Sequence, residues 1–576
     1  MLLNGTPLNA GPLNGGGYGI VVKDPQPIVP GNAFRWALRV LVGGIDFTAR
    51  LTGQVEVDRE RGAAGVASFT LQMLPGPVLP MDWVGREVSV DYLTTTLGVT
   101  SEKRRYTGRV VTTEWNAIGR LLVCHCGDQL QQRVEKLTVA EVDVLVPAFW
   151  SPDVFESPEG RSRWDYLAER LGTVQASLEG SAVGDLRLTS WYAAGVDFTF
   201  GAGTTIYDSV SVSYADLTSL TNTVEIEASY RFTRLHQLNE TFTWVHPETS
   251  GLGGTQGFCL WRQASSELPD IAMVKDSASS AGMSIIKSPI YLRTPGSGAD
   301  ICGNGIPWIN GYPDLLLGVT FTGGRRWTQS VTEKYALTVV ADASVAQAGE
   351  VIARDSVSVD YTTERGEAWE GGAFGVDVPA ADDGQSGHVD ERNEAQRVAA
   401  LRCLLNQAKT TVVQAHTGTA VSWSVPTSMV LDVDLVHTLR LEDQGVVAQA
   451  RCSRVVDAFD LGSGSAITTL TVKVMRCGGT YQDPLTAPAY QVTAQAEDIL
   501  APELATQLGG KNDSPVYDET LDGFSGNYDN ADPTLPVFER RLQITASEIA
   551  AELRDELVVD IPATYRLTIP NDPLEL

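Results

Sequence analysis

Between Trp36 and Leu137 apolar and polar residues alternate in short runs. Val55 and Val57 alternate with Glu56 and Asp58, and Ala67, Phe69, Leu71 and Met73 with Ser68, Thr70 and Gln72. Val88, Val90 and Tyr92 alternate with Ser89 and Asp91. Residues 106–115 and 120–126 predict a hairpin around Asn116-Ala117-Ile118-Gly119. Period-two runs split by Gly, Pro and Asn mark half-buried antiparallel strands. Five or six of them, then a short polar helix over 127–137, predict a small closed barrel, because closure removes exposed edges.

Downstream the period changes repeatedly. Ser157-Pro158 offers a helix start, Trp164, Leu167 and Leu171 share a face, and Gly172 stops the helix. Strand signals return at Leu186 and Leu188. From Thr223 to Val245, Val224, Ile226, Ala228, Tyr230 and Phe232 alternate with Glu225, Glu227, Ser229 and Arg231. This exceeds an ordinary strand, so a bent strand or a hairpin with a hidden turn is expected. Pro269 opens a helix with Ile271, Val274 and Ala278 inward and Gly282 as its stop. Residues 283–380 read as strand-rich and irregular. Val398, Leu401, Leu405, Ala408 and Val412 predict a helix over 391–414. A second β unit spans 421–475. It echoes the first: Arg109-Val110-Val111, Trp115 and Leu121-Leu122-Val123 against Arg454-Val455-Val456, Phe459 and Leu470-Thr471-Val472. Two barrels of one type would explain the echo; chance likeness between hairpins is the alternative. Thr545 and Glu548 form a capping box for a helix carrying Ile549, Leu553 and Leu557, followed by a strand over 564–569.

The predicted fold class is mainly β with a few helices (α+β), multidomain, with two small related β-barrels, helical or irregular inserts and extended termini. The division expected is an extended arm over 1–33, whose Leu-Asn-Gly-type repeats cannot form a core of their own. A first barrel follows over 34–145, with 205–250 as a candidate to complete it. Then come a helix–strand insert over 146–204 and a mixed α/β domain over 251–390. A helix with the second barrel occupies 391–480, and a linker with a helix/strand extension 481–576. The arm reads equally as a disordered tail or as a segment docking on a neighbour.

Charge narrows the partners. The 576 residues carry a formal charge of -28, which disfavours phosphate backbones, since nucleic-acid binding rests on Lys and Arg. No apolar run is long enough to predict a membrane-spanning helix, and Met1-Leu2-Leu3-Asn4-Gly5 predicts no signal peptide. Seven scattered cysteines (124, 126, 259, 302, 403, 452, 477) fit a reduced compartment better than a disulfide framework.

Candidate chemistry is sparse. The glycines from Gly251 to Gly257 lack dinucleotide spacing. Cys124-His125-Cys126 has ligand-type residues, but on a strand His125 points away from both cysteines. A cluster drawing on Cys259 and Cys302 stays open. Asn527, Asp529, Asn530 and Asp532 resemble a calcium loop without its glycine and distal Glu. Carboxylate pairs abound, yet a glycosidase needs a set separation that sequence does not give. His236 and His246 flank a strand segment and default to surface or satisfied histidines. The expectation is no catalytic, cofactor-binding or metal residues, and no enzyme.

Several stretches resemble the tail-tip (baseplate) hub proteins of long-tailed, siphovirus-like bacteriophages. They are Glu60-Arg61-Gly62-Ala63-Ala64-Gly65-Val66-Ala67-Ser68-Phe69-Thr70-Leu71, Pro80-Met81-Asp82-Trp83-Val84-Gly85 and Tyr106-Thr107-Gly108-Arg109-Val110. Tyr230-Arg231-Phe232, Arg234-Leu235-His236, Arg325-Arg326-Trp327 and Val331-Thr332-Glu333 add to them. The resemblance covers most of residues 1–480 and much of the C-terminus. It implies a homotrimer with two barrels per chain, a pseudo-sixfold ring closing the tail in the virion, assembled in the host cytoplasm. The partners implied are the distal tail protein, the tape measure protein and tip, fibre or receptor-binding proteins, with DNA passing through the lumen without specific binding. Some relatives carry an iron–sulfur cluster or a muralytic domain; no cysteine spacing or catalytic motif here matches either. An acidic lumen wall would repel passing DNA. The rival readings are a tail-associated cell-wall hydrolase using a carboxylate pair and a carbohydrate-binding module drawing on twelve Trp, of which Trp36, Trp83, Trp164 and Trp327 sit in core-like patterns.

Overall fold

The computed structural model describes residues 25–28, 35–96, 99–216, 219–245, 269–298, 300–301, 303–307, 309, 313–360, 386–478, 485–489, 544 and 549–576. The first strands are β1 (Gln26–Ile28), β2 (Arg35–Val42), β3 (Ile45–Asp46), β4 (Leu51–Glu60), β5 (Val66–Gln72), β6 (Glu87–Thr96), β7 (Val99–Asn116) and β8 (Leu121–Gly127). Helices α1 (Leu130–Val134), α2 (Val139–Leu145) and α3 (Arg163–Leu171) precede β9 (Ala176–Gly180), β10 (Leu186–Ser190), β11 (Phe198–Phe200) and β12 (Ser211–Ser213). Then follow β13 (Thr223–Val245), α4 (Ile271–Ser280), β14 (Ser284–Ile285), β15 (Ile290–Arg293), β16 (Leu316–Val340), α5 (Asp342–Ala348), β17 (Ile352–Asp360) and β18 (Ser386–Glu391). The last elements are α6 (Glu394–Ala415), β19 (Thr419–Pro426), β20 (Thr438–Asp443), β21 (Val446–Asp460), β22 (Ser465–Val474), β23 (Leu557–Arg566) and β24 (Leu574–Glu575). The chain is mainly β, and its described residues form a 15-stranded, a seven-stranded and a two-stranded sheet.

The 15-stranded sheet contains the same unit twice. Its strands run β4-β5-β8-β7-β6-β2-β3 in the first unit and β12-β19-β22-β21-β20-β11-β1 in the second. A 3-10 turn precedes the third-last hairpin strand in each, Pro80–Trp83 before β6 and Thr427–Met429 before β20. The two hairpins agree residue for residue at their ends: Asn116 pairs with Leu121 and Trp115 with Leu122, as Asp460 pairs with Ser465 and Phe459 with Ala466. In this register Leu121–Gly127 corresponds to 465–471, not to the stretch starting at Leu470. The units differ where β11 and β1 run parallel to their neighbours while β2 and β3 run antiparallel.

The first unit is not the closed barrel expected. Among the described residues no ladder joins β2 or β3 to β4. The hairpin end of the second unit fills the space instead: Phe459 packs on Trp36 and Tyr92 with ring centroids 6.1 and 5.6 Å away. Residues 205–250 do not complete it either, since β12 pairs with β19 and β13 belongs to the seven-stranded sheet. Of the arm, Gln26–Ile28 pairs with β11 of the same chain, and the repeats before it lie outside the described residues.

The long run is one strand. β13 pairs with β16 without interruption from Thr223↔Val340 to Val245↔Gly318, a ladder of roughly 75 Å at ~3.3 Å per residue. β13 contains no Pro or Gly to break it, and short strands cover the edges of the ladder. β17 and β18 lie along β13, and β14, β15 and β23 along β16, so most of each outer edge is paired. Its base packs on α6 through Leu401, Leu404, Leu405, Ala408 and Val412, and its far end on α4 through Val274 and Ala278.

Local signals were partly displaced. Ser162, not Ser157, caps α3, its side chain accepting from the Asp165 amide. The polar helix after β8 is only Leu130–Val134, and α2 starts at a capping box of Thr138 and Glu141. The C-terminal helix does not form. Ala551–Leu553 is a single 3-10 turn, and Leu557 begins β23, parallel to Val331–Val340 of β16. Pairing with a buried strand outweighs the helical spacing; the capping box at Thr545 and Glu548 lies outside the described residues.

Candidate functional site

The most strongly built polar site lies where the two units meet. β21 runs past the end of β20, and Arg454–Asp460 pairs with Gln54–Glu60 of β4. Strand alternation places Val55, Val57 and Arg59 inward on β4, and Val455, Asp457 and Phe459 inward on β21. Two charged side chains are therefore in phase with core residues.

Arg105 comes from β7, where Val90 pairs with Tyr106 and Asp91 with Arg104. The register shift leaves Arg105 as the extra, unpaired residue of a bulge, which re-aims its side chain into the junction. There it donates from Nε and Nη2 to Asp457 Oδ2 and Oδ1 at 2.8 and 2.7 Å, and from Nη1 to the Leu431 carbonyl at 3.3 Å. The pair is 2% and 0% exposed. Thr468 Oγ1 donates to Asp457 Oδ1 at 2.6 Å. Burial disfavours the Arg105 charge, but the attraction of Asp457 and its hydrogen bonds outweigh it and hold the guanidinium above its ordinary pKa.

A second, partly buried network ties in the insert. Arg59 Nη1 meets Asp434 Oδ1 at 2.6 Å, and Arg187 Nη1 meets Asp434 Oδ2 at 2.9 Å. Arg187 Nε continues to Glu179 Oε1 at 2.9 Å, which also accepts from Thr189 Oγ1. Burial pushes the Asp434 carboxyl up, yet Arg59 and Arg187 prevail and leave it well below the usual range. Glu179 is raised, because burial outweighs the attraction of Arg187. On the rim, Arg454 grips Asp58, Lys103 meets Asp432 at 2.7 Å, and Trp36 Nε1 donates to the Gly464 carbonyl at 2.9 Å. Such buried pairs lock one geometry, since separating them strands a charge. Arg59, Arg105, Glu179, Arg187, Asp434 and Asp457 were not singled out from sequence. The available signal was a charge at an inward position: Arg59 after Val55 and Val57, Asp457 between Val455 and Phe459.

The residues that sequence did single out are dispersed. Cys124 and Cys126 are buried in the first unit, and His125 faces outward, 3.5 Å from Glu114. Burial pushes the thiols of Cys124, Cys403 and Cys452 up to about 12, which favours the neutral thiol at neutral pH. Among the described residues no group of three metal-ligating side chains occurs. Cys259, Cys302, His246, the glycines at 251–257 and the Asn/Asp cluster at 527–532 lie outside the described residues. His236 is 1% exposed. Trp83 and Trp327 are buried, Trp36 and Trp164 half-buried. An open cleft of about 440 Å³ on the outer face of the first unit is lined by Glu56, Asp58, Ser68, Thr112 and His125. Glu56 and Asp58 are neighbours on one strand face there, and Ser68 and Thr112 are the cross-strand partners of His125. Among the described residues no helix is long and apolar enough to cross a membrane.

No protein-family model matches the sequence, and no curated protein matches it. Among solved structures the chain is similar to a tail protein from Neisseria meningitidis MC58, with 10% identity, a TM-score of 0.36, and coverage of 76% of this chain and 96% of that one. It is similar to the 43 kDa tail protein of prophage MuSo2 from Shewanella oneidensis, with 10% identity, a TM-score of 0.34, and 76% and 98% coverage. It is also similar to prophage tail protein gp18 from Listeria monocytogenes EGD-e, with 8% identity, a TM-score of 0.31, and 76% and 94% coverage.

Proposed function

We propose that this chain is a structural hub of a bacteriophage tail tip, a non-enzymatic protein that forms a homotrimeric ring closing the tail. The observation that carries the reading is the duplicated unit, seven strands in the same order twice, locked by the buried Arg105–Asp457 pair. Two like units per chain let three chains present six like units to a sixfold tail while keeping threefold symmetry below. The residue-level resemblance around Glu60–Leu71, Pro80–Gly85 and Tyr106–Val110 supports the same reading. The distal tail protein, the tape measure protein and the tip or fibre proteins are its proposed partners, and DNA passes through the ring without specific binding. The charge of -28 suits a wall that repels DNA.

Light scattering on the purified chain tests the assembly. A species near three times the 61.9 kDa chain mass at low and at high salt supports the ring. A strict monomer in both, including in mixtures with the distal tail protein, rejects it.

A further inference from the structure

One face of the long hairpin carries an unusual polar grid. Strand register sets Asp390 of β18, Arg234 of β13 and Gln329 of β16 in one row, and His388, His236 and Trp327 in the next. In the first row Arg234 donates from Nε and Nη2 to Asp390 at 2.6 and 3.0 Å. In the second, the His236 ring stacks on Trp327 at 5.1 Å and 5°, and faces the His388 ring at 5.8 Å. Gln329 Nε2 donates to the carbonyls of Glu552 and Asp555, at 2.7 and 2.9 Å. Its oxygen is therefore the acceptor for His236 Nε2, 2.9 Å away, and the proton sits on Nε2. Nδ1 is left as a bare lone pair, buried and without a partner.

We propose that this row is an acid-sensitive latch, in which a proton arriving at His236 Nδ1 frees β18 from the edge of the long hairpin. A proton there has no acceptor and lies in a buried site. Arg234 on the same strand and His388 on β18 both oppose its charge; Asp390 on β18 attracts it but is already held by Arg234. From β16, Trp327 and Gln329 are uncharged, and Arg325, two residues along, lies 3.6 Å from Glu240. The C-terminal segment meets the row through backbone carbonyls: Leu553 accepts from Trp327 Nε1 at 3.0 Å. β18 is the weak member. It has six residues and pairs only with β13 among the described strands, whereas β13 and β16 share 23 residue pairs. Detaching it relieves the imidazole and leaves the long ladder intact.

Burial, with Arg234 and His388, lowers the His236 pKa to about 4. In the detached state it rises toward its ordinary value of about 6.5, with Arg234 and Trp327 still beside it. Between pH 7.5 and 5.0 this linkage raises the opening equilibrium by up to roughly 30-fold. Hydrogen exchange of the full chain, corrected for intrinsic rates, reads it directly. The expected result is a loss of protection of more than about threefold and up to roughly 30-fold in residues 386–391, with the β13–β16 amides unchanged. His236→Phe keeps a ring on Trp327 and abolishes the loss. His388→Gln removes an opposing imidazole and makes it smaller, which decides the matter should the first variant fail to fold. Protection that changes less than about threefold, an equal loss along β13–β16, or an undiminished loss in either variant overturns the latch.

Discussion

Replacing Asp457 with Asn tests the junction most sharply. The substitution keeps the size of the side chain and an oxygen for Thr468, but leaves the Arg105 guanidinium buried with no counter-charge. Arg105 is 2% exposed and holds three hydrogen bonds, two of them to Asp457. Removing one partner of such a pair costs about 3–5 kcal/mol, whereas exchanging both for apolar residues of similar volume is often neutral or stabilising. Asp457→Asn therefore lowers protection of the β4–β21 amides by roughly 200- to 5,000-fold in hydrogen exchange, as 1.36 kcal/mol is a factor of ten. With an m-value of about 3 kcal/mol/M, the urea midpoint of that transition falls by roughly 1–1.7 M. The double substitution Arg105→Met with Asp457→Leu recovers most of the loss, a coupling that a pair of independent surface charges would not show. A loss below about 1 kcal/mol for Asp457→Asn, or a double variant no better than the single, would refute the claim that this pair locks the units.

Two further substitutions probe the frame. Asp572 is buried, accepts from the Met475 amide at 2.9 Å, and burial raises its pKa to about 6. A raised carboxyl pKa means that the fold favours the protonated form. That contribution is full below the unfolded value of about 3.9 and lost as pH rises through about 6. Asp572→Asn should therefore stabilise by up to about 3 kcal/mol at pH 7.5 and by almost nothing near pH 4, measured as paired thermal melts; a gain independent of pH contradicts the assignment. At Gly108, a Cβ would lie 2.6 Å from the Gly127 carbonyl and would collide with the Tyr106 hydroxyl. Gly108→Ala should cost at least about 2 kcal/mol, while Gly201→Ala, with nothing within 4 Å, stays within about 0.5 kcal/mol. Equal effects at the two glycines would show that the β7–β8 packing is looser than described.

Sequence alone determined the elements whose signal is local. The alternation in β4, β5, β6 and β22, the face of α6 carrying Leu401, Leu405, Ala408 and Val412, and the outward His125 between two buried cysteines all follow from the period of one strand or helix. The echo between the two hairpins was legible because both place an aromatic, Trp115 or Phe459, at the same step before the loop. Tertiary structure decided everything that depends on a partner strand. The run 223–245 could read as a bent strand or a hidden hairpin, and only β16 together with its edge strands makes it one continuous ladder. Leu553 and Leu557 have helical spacing, yet β16 offers Leu557 a strand to join. The first barrel could not be known to stay open, because Phe459, which fills it, lies more than 350 residues beyond Trp36. Arg105 is buried only because a bulge shifts the register of β7, and Asp457 is tolerable in a core only because Arg105 meets it there. A charge at an inward position is visible in one strand, but its partner is supplied by contacts distant in sequence, which no local period encodes.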